Sequence, residues 1–173
     1  MLVYYWANLS VLGHPFQIDG VLCMILNEKI YYQNIDSNKF YMSSCRTITD
    51  DDVSQFLILT GLNNPIFSDK NFAEEYSLGW RLVPAPLLLG ITIGLTDPLI
   101  AGTVKAVLNI EKANFLNPVK VLDTVKVKTN AKLIENDGNN KKRNLAVLMH
   151  EVYNQKDILV CTCHRTLKFL DLV

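Results

Sequence analysis

The chain has 173 residues, 49% hydrophobic and 20% charged, which suits one folded domain with a real core and excludes a disordered chain. Its 17 basic and 17 acidic residues cancel. A protein that holds phosphate backbones carries a basic excess, so nucleic acid is not an expected partner.

From the N-terminus, the stretch Met1 to Met24 is apolar but contains Asn8, His14, Gln17 and Asp19, with no basic residue before them. That is a poor signal peptide. Thr47 to Asp52 then opens a helix, since a Thr or Asp supplies the N-cap oxygen and the acids suit the helix dipole. Val53, Phe56, Leu57 and Leu59-Thr60 recur at near-helical spacing and predict one apolar face. Gly61 to Pro65 stops this helix, because Gly and Asn accept left-handed backbone and Pro cannot extend it. A short amphipathic segment from Asp69 to Tyr76 follows, ended by Gly79.

Pro84 to Leu95 reads as a second helix with prolines in its first turn, apolar all round and therefore buried on most sides. Gly90 and Gly94 lie one turn apart on one face, where close approach of a neighbouring backbone is expected. The run Val83 to Ile100 carries three prolines and two glycines, which a membrane-spanning helix of about 20 residues does not tolerate well. No membrane partner is expected.

From Thr103 the period changes to that of strands. Val125, Val127, Thr129, Ala131 and Leu133 face one way and Lys126, Lys128, Asn130 and Lys132 the other. Glu135 to Asn140 is a hairpin turn. Val104 to Phe115, Leu145 to Tyr153 and Ile158 to Phe169 complete four long antiparallel strands, with a turn at Asn154 to Asp157. The expected fold is α+β, an antiparallel sheet wrapped around one buried helix.

Cys23, Cys45, Cys161 and Cys163 include no Cys-x-x-Cys pair, and Cys161 and Cys163 point to one side of a strand. They read as buried thiols in a reducing cytoplasm. With three His residues, no metal-ligand spacing emerges, and no cofactor is implied. His150 and Glu151 are adjacent in a strand and point to opposite faces, so they make no catalytic pair. Asp69 is expected to cap the helix after it.

Four blocks carry a family resemblance. Thr60 to Ala73 resembles the hydratase signature of MaoC-like proteins: Ser or Thr, Gly-Asp-x-Asn-Pro, an aliphatic residue, His, any residue, Asp, three residues and Ala. Thr60, Gly61, Asn64, Pro65, Ile66, Asp69 and Ala73 match it. Gly79 to Leu89 is similar to the family's approach to its central helix. Ala113 to Val119 with Asp123 to Val127 resembles its strand pair, and Val152 to Gln155 its last turn. The resemblance runs from about residue 27 to 171 and implies a hot-dog domain over 27–173, with 1–26 as an extension outside it. Met24 is then a candidate natural start.

The resemblance implies (R)-specific enoyl-CoA hydratase or 3-hydroxyacyl thioester dehydratase chemistry, of the kind used in fatty acid metabolism, in a dimer. That reaction needs a carboxylate and an imidazole to move the protons of water, and an amide to hold the thioester oxygen. At the positions of the family's Asp and His stand Leu62 and Phe67, which transfer no proton. Phe67 and Ala85-Pro86 are similar to the amino-terminal halves of two-part dehydratases, which shape the acyl pocket while a partner half carries the dyad. Asn64 and the Ala85 amide remain as substrate-binding candidates, Asn64 more as a loop-former. The implied partner is an acyl-CoA or acyl-carrier thioester, in a homodimer or a hetero-oligomer with another hot-dog protein. The alternatives are a non-catalytic acyl-CoA-binding or structural subunit and, more remotely, a thioesterase-like hot-dog.

Overall fold

The computed structural model describes the backbone of residues 16–18 and 21–25, and residues 29–76, 78–134 and 144–170 in full. The expected turn at Glu135–Asn140 lies outside them, as does His14. Short strands β1 (Phe16–Ile18), β2 (Val21–Ile25), β3 (Phe40–Met42) and β4 (Arg46–Thr47) come first. Helices α1 (Asp50–Thr60), α2 (Pro65–Ser68), α3 (Lys70–Tyr76) and α4 (Ala85–Thr96) follow. Long strands β5 (Val104–Phe115), β6 (Thr124–Leu133), β7 (Leu145–Asn154) and β8 (Leu159–Phe169) close the chain.

The sheet order is β1-β2-β3-β6-β7-β8-β5, with β4 also on β6. All pairs are antiparallel except β2 with β3. β5 therefore pairs with β8 rather than with β6, its successor in sequence, and forms one edge. β6 starts at Thr124 because buried Asp123 folds the preceding residues into a turn, accepting from the Lys120 amide at 2.9 Å and from Gln155 Nε2 at 2.6 Å. The alternation of β6 in burial holds from Val125 to Thr129; Asn130 is buried too, donating to the Ser37 and Lys39 carbonyls, and Leu133, near the end of the strand, is exposed. The β7–β8 turn is tied by Asn154, whose side-chain oxygen accepts from the amides of Lys156 and Ile158.

α4 lies on the sheet through Leu88, Ile91, Thr92 and Thr96. Two buried apolar clusters sit beneath it. One gathers Val53, Leu88, Ile91, Val125, Val127, Val152 and Cys161 near the start of α4, and the other Leu99, Ile100, Ala131, Leu148, Leu167 and Phe169 beyond its end. Between them runs a polar rung. Thr129 and His150 are cross-strand partners, Thr129 Oγ1 lies 2.9 Å from His150 Nδ1, and Arg165 donates from Nε to His150 Nε2 at 2.9 Å. A second Arg165 nitrogen donates to Thr96 Oγ1 at 2.7 Å. Among the described residues, no helix is long and apolar enough to cross a membrane.

Three expectations need correction. Cys45, expected to be a buried thiol, is exposed, because it lies in the short link between β3 and β4. Leu59 does not belong to the buried face of α1: Val53 is buried, Phe56 and Leu57 are half-buried, and Leu59 is 85% exposed. Six residues at about 100° each put Leu59 about 120° round the helix from Val53, off the buried face. Gly90 and Gly94 are exposed, and a Cβ on either would meet nothing within 4 Å. Among the described residues, no backbone packs against them, and those residues leave this face of α4 open.

Candidate functional site

The signature-like loop is built by consecutive caps. Thr49 and Asp52 form a capping box at the start of α1, the Thr49 oxygen accepting from the Asp52 amide and Asp52 Oδ2 from the Thr49 amide. These bonds, with the nearby Arg46 guanidinium, hold the Asp52 carboxyl below its usual range. α1 ends at Gly61, whose φ of 68° is left-handed. Asn64 then caps α2, accepting from the Ile66 amide at 3.1 Å, with Pro65 in the first turn. Asp69 Oδ1 accepts from the Phe72 amide at 3.1 Å and so caps α3, as its position implied. The short helix α2 went unforeseen, although Asn-Pro is a standard helix start.

Leu62 and Phe67 both lie half-buried on this loop, and Asn64 is exposed. The Phe67 carbonyl accepts from Arg81 Nε at 2.9 Å, and Arg81 donates from Nη1 to Asp50 Oδ1 at 2.6 Å. Arg81 thus joins the loop, the start of α1 and the segment that leads into α4. That segment is fixed in turn, because the Val83 amide donates to the Val119 carbonyl and the Val121 amide to the Arg81 carbonyl. Sequence reasoning missed Arg81, since nothing in a local pattern reveals a contact fourteen residues back.

Ala85 opens α4 behind Pro84, and no side chain caps this end. The first amides of a helix have no intrahelical acceptor and carry the positive end of the dipole. Ala85 itself is half-buried, and its amide is one of these first helix donors.

His150, Glu151 and the two core cysteines serve the structure. His150 is sealed in the polar rung with both ring nitrogens engaged. Burial and then the Arg165 charge hold its pKa well below the ordinary value, so it is neutral. Glu151 points to the opposite face and accepts from the Tyr153 hydroxyl. Cys161 and Cys163 face the core, and burial raises the Cys161 thiol to about 11. Among the described residues, no group of His, Cys, Asp and Glu is arranged to hold a metal ion.

Known proteins share this architecture, which is the hot-dog fold. A monoamine oxidase regulatory protein from Archaeoglobus superposes with a TM-score of 0.72 at 26% identity, over 86% of this chain and all of that one. An (R)-hydratase from A. caviae involved in PHA biosynthesis superposes at 0.68 with 21% identity, over 80% of this chain and 99% of that one. Protein MaoC of Klebsiella aerogenes is 29% identical over 102 residues, 59% of this chain. The match spans only 30% of that protein's length. The family described as MaoC like domain matches residues 33–152, well over half of the sequence, and the chain belongs to this family.

Proposed function

We propose that this chain is an acyl-thioester-binding member of the hydratase and dehydratase family that does not itself carry the standard proton-transfer dyad. The observation that carries the reading is Leu62 and Phe67 standing in a loop whose other determinants, Gly61, Asn64, Pro65 and Asp69, are formed as a working signature would need. The uncapped amide of Ala85 supplies the donor for the thioester oxygen. Asn64 serves chiefly to cap the loop. Each missing acid or base group costs roughly 10²–10⁴ in rate, so hydration by the isolated chain is negligible.

A second hot-dog, either another copy or a homologue that carries the dyad, completes the assembly. Its support is the β5 edge, where Val107, Leu108, Ile110 and Phe115 are 41–54% exposed at the end of the sheet. Long apolar edges in monomers invite pairing. Unpaired thiols at Cys45, Cys161 and Cys163 suit a reducing cytoplasm. The domain extends over 27–173 in this reading, with the first 26 residues an addition to it.

The test is hydration of a short enoyl-CoA by the purified chain and by Leu62→Asp/Phe67→His, with calorimetric titration of butanoyl-CoA. The expected result is butanoyl-CoA binding by both proteins, no turnover by the first and measurable turnover by the double variant. Rapid turnover by the unmodified chain would overturn the missing dyad, and absence of binding in both would overturn the thioester site.

A further inference from the structure

We propose that the cleft beside the 79–81 segment binds a nucleotide, that is, an aromatic base bearing phosphate. The cleft has a volume of about 450 Å³, within the roughly 300–1,000 Å³ of small-molecule sites. It lies between the starts of α1 and α3, the segment before α4 and the 120–122 turn, and is separate from Leu62, Phe67 and Ala85.

Its frame is fixed. The 81–83 and 119–121 segments pair antiparallel through Val83 with Val119 and Val121 with Arg81, with a bridge between Leu82 and Lys120. This sets Trp80, still 44% exposed, beside Lys120, whose ammonium lies 4.5 Å from the indole ring centre. An exposed indole held on a rigid frame is a stacking surface for any nucleobase.

Leu122 also lines the cleft; it has φ of 73° and is 66% exposed. Leucine disfavours left-handed backbone. The turn imposes it: the Leu122 amide donates to the Ile48 carbonyl at 2.8 Å, and the Asp123 carboxylate anchors the Lys120 amide at 2.9 Å. The outcome is an apolar side chain held out at a cleft, the kind of local cost that persists at ligand sites. Leu122 and Trp80 thus offer apolar surface for a planar ring.

The charges around this surface are mixed. Lys70 and Lys120 are cations on flexible stems that suit phosphate oxygens, and Lys70 is highly exposed beside Glu74. Asp50 and Glu74 supply acceptors suited to the amino edge of a base. A simple anion uses only half of this lining, and an apolar ligand less.

The site does not depend on thioester binding, but its ligand has two sources, a free nucleotide or the nucleotide end of a thioester carrier. The test is calorimetric titration of the full chain with ADP, adenosine, inorganic phosphate, coenzyme A and an acyl-pantetheine, repeated on Trp80→Ala and Lys120→Gln. ADP should bind more tightly than adenosine or phosphate. Trp80→Ala should weaken ADP by about 5–150-fold, the range of one base stack, and Lys120→Gln should weaken ADP more than adenosine. Coenzyme A binding tighter than ADP assigns the cleft to the carrier, and equal or weaker binding assigns it to a free nucleotide. Absence of saturable ADP and coenzyme A binding overturns the proposal, as does ADP binding that neither variant changes, or phosphate binding as tightly as ADP. If acyl-pantetheine binds while ADP does not and coenzyme A binds no more tightly, the thioester reading stands and the nucleotide cleft falls.

Discussion

Acidification from pH 6.5 to 5.5 should cost the unmodified protein about 1 kcal/mol more stability than a His150→Gln variant. His150 is buried, its Nε2 must accept from Arg165 Nε, and Thr129 occupies its other nitrogen. The groups around it are Arg165, His164, Cys163 and Thr96, with Asp97 near Arg165, and the desolvation is the largest of the effects that keep it neutral. Unfolded, the same imidazole titrates near the ordinary histidine value of about 6.5. Below that pH the unfolded chain binds the extra proton and the folded chain does not, so stability falls as pH falls through 6.5 toward the depressed folded value. The slope is at most about 1.4 kcal/mol per pH unit for one group, and integration over this interval gives about 1 kcal/mol. The glutamine side chain of the variant would offer an amide oxygen to Arg165 and an amide donor to Thr129 without titrating. Urea unfolding of both proteins at pH 7.5, 6.5 and 5.5 makes the comparison. Curves that fall in parallel would refute the buried, neutral assignment of His150.

Two further substitutions probe the same physics elsewhere. Thr96→Val should destabilise by about 2–3 kcal/mol, because it strips the acceptor from a buried guanidinium. Thr92→Val should cost under about 0.5 kcal/mol, since that hydroxyl only bonds back to the Leu88 carbonyl of its own helix; equal losses in urea unfolding would undo the argument. Leu122→Asn should raise stability by about 0.5–1 kcal/mol by relieving the left-handed leucine at little cost in burial, and a lower unfolding midpoint would mean the turn is not strained.

How far the sequence was legible depended on the range of the interactions. The α1 and α3 caps at Thr49 and Asp69 were readable because the donor and acceptor lie within a few residues. The alternation in β6 and the one-sided placement of Cys161 and Cys163 followed from a period of two. Arg165 was not readable. In the sequence it is one charge in a strand, and only the return of α4 over β8 brings Thr96 to it across sixty-nine positions. The β5 placement was equally hidden, because strand periodicity fixes faces but not neighbours. Gly90 and Gly94 misled for a related reason: small residues invite a backbone, and among the described residues none answers. Leu59 was a plain error of helical phase.

The separation between fold and chemistry in this protein has a structural basis. The two apolar clusters and the polar rung between them are assembled from the sheet, α4 and the start of α1, and neither cluster draws on Leu62 or Phe67. Those side chains lie half-buried on a loop held by backbone caps and by the Arg81 bond to the Phe67 carbonyl, which is indifferent to the side chain at that position. On the proposed reading, in which Leu62 and Phe67 stand where the family's dyad would, an exchange of these two side chains for Asp and His touches neither apolar cluster. Membership in the MaoC-like family rests on the framework, and on the proposed reading the capacity for proton transfer is decided at the two loop positions.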